Sequence, residues 1–403
     1  MSHIAIAFVM RPGGGRVTPW GMRSFLAVVT MLVCGCSCAS GAGATSPDCV
    51  LVNDGLGLKG TTSVRAEVVV SGLEVPWGLA FLPGGELLVT ERPGRIRLVR
   101  DGVLVPEPVA TVPLAPGGES GLLGLALHPG FAQNRFFFVY ATVRVDGVKQ
   151  NRVERWKLAE DSLSATFDGV VFGGIGAAQF HDGGRLRIGP DGMLYVGTGD
   201  AREPPRSQNL QSLNGKVLRL TPEGAVPADN PFPGNPAFVL GVRNVQGFDW
   251  LDGKTLVIAD HGPSGELGRS GHDEVSVARA GDNLGWPTIY GCGQSQGLVT
   301  PRLTWRTAVP PGGAAIYRGK AFPEWKGSVL VGVLGSRHLH RVVFDELRRV
   351  SLHEVYLEGT LGRIREVISG PDGEIYLTTS NCDGRGDCPA EKDRIVKLVP
   401  AAE

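Results

Sequence analysis

No sign of charge predominates in this chain: 40 basic side chains stand against 40 acidic ones in 403 residues. That balance removes the electrostatic case for a nucleic-acid partner or an anionic membrane surface. No long stretch sustains the 3.6-residue apolar period of a helix, which excludes a helical bundle. Cysteine is scarce, seven residues in all, and no pair of spacings matches a zinc site. The apolar run Phe25 to Val33 is too short to cross a bilayer as a mature helix. Glycine (59) and proline (28) are abundant, yet hydrophobic residues still make up 42%. Such a composition predicts many turns joining short strands rather than disorder.

The N-terminal region reads as a targeting segment. Met22-Arg23 supplies a basic start, Phe25 to Val33 an apolar core, and Val33-Cys34-Gly35-Cys36 resembles a bacterial lipobox with Cys36 lipidated. Translation from Met22 makes a signal of ordinary length, with Met1 to Gly21 an upstream extension, and Ser37 to Thr45 is a small-residue tether. The expectation is an exported bacterial protein, periplasmic or anchored at the outer membrane. Signal and tether occupy 1–48 and a single folded domain 57–403. Export implies an oxidising compartment. Cys382 and Cys388 then predict a local disulfide, and Cys49 and Cys292 are the candidates for a long-range pair.

From about Val64 one pattern recurs: turn residues, then a strand that exits into a polar loop. Pro83-Gly-Gly-Glu-Leu-Leu-Val-Thr90 is the first instance, and Pro190-Asp-Gly-Met-Leu-Tyr-Val196 and Pro371-Asp-Gly-Glu-Ile-Tyr-Leu377 are close copies. The equivalent apolar positions are Leu87, Phe137, Leu194, Leu256, Val329 and Ile375, separated by 46 to 73 residues. Repeats of that length, each with several short strands, predict propeller blades. The fold class is therefore all-β, a six-bladed β-propeller, with Arg95 to Val99 and Lys216 to Leu220 as further strands.

The loops at the repeat junctions carry the candidate chemistry. His181-Asp-Gly-Gly-Arg185 puts a histidine and an arginine around two glycines that allow close approach of backbone to a ligand. Arg243-Asn244, inside Gly241-Val-Arg-Asn-Val-Gln-Gly247, can clamp an anionic planar ligand. Asp260-His-Gly-Pro-Ser264, Asp273-Glu274 and Gly281-Asp-Asn-Leu-Gly-Trp-Pro287 gather carboxylates and turn carbonyls suited to a hard cation such as Ca²⁺. In Gly362-Arg-Ile-Arg-Glu366, strand alternation aims Arg363 and Arg365 to one side with no acid between them, an arrangement that wants an anion.

These motifs, together with Gly121-Leu-Leu-Gly-Leu-Ala-Leu-His-Pro-Gly-Phe131, Leu213-Asn-Gly-Lys-Val-Leu-Arg-Leu220 and Asn283-Leu-Gly-Trp-Pro287, resemble the soluble glucose/sorbosone dehydrogenases over about 65–400. Those are six-bladed quinoproteins that use pyrroloquinoline quinone (PQQ) and calcium. The resemblance implies oxidation of an aldose sugar at C1 to the lactone, with electrons passed on to an external acceptor by a monomer or dimer. It implies that His181 is the base that takes the anomeric proton while hydride goes to the quinone. Arg243 would stabilise charge at the quinone oxygen, and Glu119, Asn244, Arg363 and Arg365 would bind the cofactor. The carbonyls of Gly262 and Pro263 would hold the cofactor's calcium, and Glu274 with the carbonyl of Leu284 a second, structural ion.

Two positions depart from the family pattern. Gly335 replaces a lysine that reaches the cofactor, with Ser336 and Arg337 next to it. Phe180 precedes the histidine where glucose-oxidising relatives carry an aspartate, which shifts the substrate away from a strict glucose site. Two other readings stand beside the dehydrogenase: a non-catalytic extracellular propeller that binds carbohydrate or protein, and a calcium-dependent lactonase or esterase.

Overall fold

Each of the six apolar repeat positions begins or lies within the second strand of an antiparallel sheet, and the six sheets are the blades of a β-propeller. The computed structural model describes residues 45–115 and 117–401, together with Gly15; the signal segment and Cys36 fall outside the described residues. The innermost strands are Pro76–Phe81, Leu122–Leu127, Leu186–Ile188, Val245–Trp250, Pro311–Ile316 and Ile364–Ser369. Sequence neighbours pair in each blade, so the chain runs outward from the axis and then crosses to the next blade.

Alternating apolar residues of adjacent sheets interlock into six separate cores rather than one. Leu88, Ile96 and Leu98 of the first blade pack against Phe137, Val139 and Trp156 of the second. Val70, Leu73 and Ile395 of the sixth return to Leu87, Val89 and Val99 of the first. Both faces of most strands are covered, which is why the strands read as continuous apolar runs such as Leu-Val-Ile at 256–258.

The ring is closed by exchange of chain ends. Val64–Leu73 forms the outermost strand of the sixth blade and pairs antiparallel with Asp393–Pro400, Val64 opposite Pro400 and Leu73 opposite Asp393. Asp393 sits at the end of this seam, fully buried, and accepts bonds from Val75 N–H (3.0 Å), Cys382 N–H (3.2 Å), Asn381 N–H (2.6 Å) and the Thr379 hydroxyl (2.8 Å). The stretch before the seam is also ordered: Val50–Val52 adds a parallel strand to the fourth blade, and Leu58–Lys59 one to the fifth. Cys49 is bonded to Cys292 and Cys382 to Cys388, so both predicted pairings are present.

The axis of the ring is sealed by charge. Arg185 and Glu366, from the opposed third and sixth blades, form a fully buried ion pair, and Arg187 joins Glu366 at 3.0 Å. Arg185 also donates Nε–H to the Gln246 carbonyl at 2.7 Å and lies over the Trp77 ring at 4.4 Å. Burial lowers its guanidinium to about 10, with Glu366 opposing the shift. The arginine that the sequence placed beside His181 as a ligand-facing group is thus part of the channel seal. Glu366→Ala leaves this buried cation unpaired, and we predict a loss of about 3–5 kcal/mol. Urea unfolding measures it, and a parental midpoint would show that the seal carries no stability.

Candidate active site

In an antiparallel blade, the start of the innermost strand and the end of the second strand lie at the same edge of the sheet. Residues just before the innermost strands and just after the second strands therefore gather on one face of the ring. Glu119, His181, Arg243-Asn244 and Arg363 precede or open innermost strands, and His261, Leu334 and Arg385 follow second strands. All of them line one cavity of about 420 Å³. Pro263 and Arg365 line it too. Of the other residues expected at metal sites, Gly262, Glu274 and Leu284 do not line this cavity.

His181 is the most constrained of these groups. Its backbone is left-handed (φ 65°), an unfavourable region for a non-glycine residue. The Glu119 carboxylate holds its N–H at 3.1 Å, and its carbonyl accepts from Ala201 N–H at 3.1 Å. A Cβ at Gly199 would stand 1.9 Å from that carbonyl oxygen, so only glycine allows the contact. The ring is buried, with Nδ1 at 2.7 Å from Asp200 Oδ1. Asp200 is fixed in turn by the Trp286 indole N–H at 2.9 Å. Nδ1 therefore carries the proton, and Nε2 faces the cavity with Glu266 Oε1 at 3.6 Å.

Asp200, Trp286 and Glu266 were not singled out in the sequence. Asp200 closes the stretch that begins with His181, but there it looks like a strand terminus. Trp286 lies in a motif whose carboxylate and turn residues pointed instead to a cation.

Arg243 places Nη2 at 2.8 Å from Glu266, and its buried Nε has no partner. The N–H groups of Arg243 and Asn244 both donate to Asp260, at 2.8 and 2.7 Å. Asn244 Nδ2 reaches Glu119 at 3.2 Å, so that one carboxylate ties the second, third and fourth blades together. Burial pushes Glu266 upward, but Ser264 N–H and Arg243 outweigh it, and its carboxyl titrates below its ordinary value. His261, which donates Nε2–H to the Pro311 carbonyl at 2.6 Å, is driven by burial to about 3 and stays neutral.

Arg363 and Arg365 do share a side, as alternation predicts, but an acid does lie against them. It comes from the loop closed by the Cys382–Cys388 disulfide. Asp383 bonds Arg363 at 2.9 Å and lies 3.7 Å from Arg365. Short-range pattern could not show this partner, which is distant in sequence. Arg365 also bonds the Gln246 amide, and its Nε is buried without a partner. Burial lowers Arg365 to about 9, which leaves it a cation at neutral pH.

Arg337 turns outward to Asp387 at 3.0 Å and does not line the cavity. At Gly335 a Cβ would stand 2.8 Å from Pro310 Cγ, so a lysine cannot be introduced there without displacing Pro310.

A second set of acids adjoins the cavity: Asp273 lines it, while Asp260 and Glu274 do not. Asp260 and Glu274 are directly opposed on adjacent strands, and Asp273 accepts from Gly262 N–H at 2.9 Å and Val309 N–H at 2.6 Å. Burial raises Asp260 to about 6, and burial with the neighbouring Asp260 raises Glu274 well above the usual carboxylate range.

Fold and cavity together define a six-bladed propeller in which a carboxylate-oriented histidine faces an arginine-rich anion site. The chain belongs to the glucose/sorbosone dehydrogenase family, whose model matches residues 73–388. It is 32% identical to the aldose sugar dehydrogenase YliI of Escherichia coli over 348 residues, 80% of this chain and 91% of that one. An uncharacterised protein of Synechocystis is 36% identical over 360 residues, 80% of this chain and 85% of its own. The PQQ-bound aldose sugar dehydrogenase of Streptomyces coelicolor superposes with a TM-score of 0.75 at 37% identity, covering 84% of this chain and 98% of that one.

Asp383→Asn removes the charge on which Arg363 and Arg365 converge, and we predict a loss of about 3–5 kcal/mol. Despite burial, which raises it, Asp383 titrates below its ordinary value because Arg365 and Arg363 face it. Its folded pKa is thus the lower one, so its contribution is present above the unfolded carboxylate range and lost as pH falls through the folded value. Parent and variant stabilities should converge in acid. A constant gap from neutral pH down to strong acid would contradict this assignment.

Proposed function

We propose that this protein oxidises aldose sugars at C1 to the lactone, with PQQ and Ca²⁺ held in the cavity. One observation carries the reading: the Nε2 face of a carboxylate-oriented histidine opens onto the same cavity as Arg243, Arg363 and Arg365. The orphaned Nε atoms of Arg243 and Arg365 fit an anionic, planar cofactor with several carboxylates. Arg243, Asn244, Arg363, Arg365 and Glu119 would hold it. When bound, PQQ supplies the two-electron acceptor for hydride from the sugar.

His181 takes the proton of the C1 hydroxyl on Nε2, while Asp200 fixes the opposite N–H and stabilises the imidazolium that forms. Loss of that proton from oxygen and of hydride from C1 leaves the lactone carbonyl. Glu266, on the other side of the ring, adds a second carboxylate against the charged imidazole. Arg243 offers a fixed cation where negative charge develops. Neutral His261 adds no positive charge that would oppose proton uptake by His181.

Gly262 and Pro263 would offer carbonyls to the calcium beside the cofactor. Glu274 and the Leu284 carbonyl would hold a second ion. The raised Asp260 and Glu274 support this, because a divalent cation relieves the cost of burying adjacent carboxyls. Repeated turnover would need an external acceptor for the electrons.

Purified protein titrated with PQQ, with and without Ca²⁺, should bind the cofactor and reduce a dye with aldoses. His181→Gln should keep PQQ binding and lose about 10²–10⁴-fold in turnover. A parent that takes up no PQQ in either condition would sink the dehydrogenase reading and leave the non-catalytic extracellular propeller.

We also propose export, with a lipid on Cys36 anchoring the protein at the periplasmic face of a membrane. The two disulfides support an oxidising compartment. Cys36→Ser should move the protein from the membrane to the soluble periplasmic fraction, and equal membrane recovery of both forms would refute the anchor.

A further inference from the structure

The cavity is lined by five arginines, and they fall into two groups. Each inner one has a carboxylate that orders it: Arg243 faces Glu266 at 2.8 Å, Arg363 faces Asp383 at 2.9 Å, and Arg365 lies 3.7 Å from the same Asp383. The two at the mouth, Arg202 and Arg385, are exposed and poorly matched. Arg385 reaches Glu119 Oε1 only at 3.5 Å, a long contact, while Oε2 of the same carboxylate accepts from His181 N–H and Asn244. Beside Arg202, Glu203 is turned away to Arg206 at 2.6 Å, and among the described residues Arg202 enters no ion pair.

Both guanidinium groups converge on one ring. Arg385 stands 5.3 Å and Arg202 5.8 Å from the centroid of Phe180, the residue adjoining His181. Each is positioned by rigid structure. Arg385 lies inside the loop that the Cys382–Cys388 disulfide closes. Arg202 follows Ala201 in two successive left-handed residues (φ 53° and 63°), with its N–H bonded to Asp200 at 2.8 Å. Strained backbone of this kind persists where the surroundings hold it for a purpose. Both are cations at the rim of the cavity, and a neutral sugar offers neither of them a counter-charge. An anionic group entering the mouth would supply one.

We propose that this mouth selects aldoses bearing an anionic group remote from C1, a carboxylate or a phosphate, recognised by Arg202 and Arg385. The inference rests on the aldose-oxidising reading, since it places the C1 end at His181 and the charged end outward. Phe180, which also lines the cavity, is the apolar surface against which both cations are held. The cofactor's carboxylates are assigned to the inner arginines, so the mouth cations remain for substrate.

The test compares PQQ-loaded parent, Arg202→Gln, Arg385→Gln and the double variant. Substrates are glucuronate, its uncharged methyl ester, glucose 6-phosphate and glucose. The parent should favour the anionic aldoses over their neutral counterparts by about tenfold or more in kcat/KM, and the double variant should erase that ratio. Preference for glucuronate or for glucose 6-phosphate identifies the carboxylate or the phosphate as the group recognised. High salt should shrink the ratio in the parent but not in the double variant.

Calorimetric titration of the protein with glucuronate and with its methyl ester reads the same preference without turnover. Equal treatment of charged and neutral aldoses by an active parent overturns the proposal and leaves the dehydrogenase chemistry standing. Weakened PQQ affinity in either variant overturns it too, by assigning that arginine to the cofactor. If no aldose is oxidised at all, the function proposed above fails. The calorimetric comparison then still decides the mouth: tighter binding of glucuronate supports it, and equal binding overturns it.

Discussion

Everything on the functional face depends on how the ring is closed, and closure converges on the carboxylate of Asp393. Its two oxygens take up N–H groups from both sides of the seam, Val75 at the end of the first-formed strand and Asn381 and Cys382 at the end of a late one. Without Val64–Leu73, Asp393–Pro400 would present a row of unpaired backbone groups at the edge of the sixth blade. One buried acid therefore fixes the outer strand of the sixth blade and the origin of the 382–388 loop together. That loop carries Asp383 and Arg385, so the geometry of the anion site is inherited from the seam.

Below this face the same solution recurs along the axis. Arg185 and Glu366 neutralise each other where opposite blades meet, and Arg187 supplies a second cation to the same acid. Buried charge is tolerated here because the cations face a buried acid, although Arg185 Nη2 has no hydrogen-bond partner of its own. The cavity above carries a larger excess of cations. Its orphaned Arg243 and Arg365 nitrogens and its exposed arginines form an electrostatic account that ligands are needed to complete.

The blade count was legible because the second strand of every blade follows a turn signal and is buried on both faces, which leaves a local signature at Leu87, Phe137, Leu194, Leu256, Val329 and Ile375. The positions of His181, Arg243, Asn244 and Arg363 were legible for a related reason: junction loops before innermost strands must share a face. What stayed hidden was set by contacts remote in sequence. Asp383 meets Arg363 only after a disulfide loop folds back, Trp286 reaches Asp200 across 86 residues, and Glu366 turns Arg185 away from the ligand side. No local period encodes such partners. The outer strand of the sixth blade was missed likewise, since its place depends on pairing with the last strand of the chain.

That seam has a consequence for biosynthesis. A chain made from its N-terminus presents Val64–Leu73 early, yet the partner Asp393–Pro400 appears only within the last residues. Five blades can assemble in order during synthesis, each packing on the one before, while Val64–Leu73 waits unpaired. The arginine-bearing 382–388 loop lies just ahead of the closing strand, so the ligand cavity is the last part of the molecule to mature. A chain shortened by ten residues at its C-terminus would keep nearly all of its sequence and lose the ring.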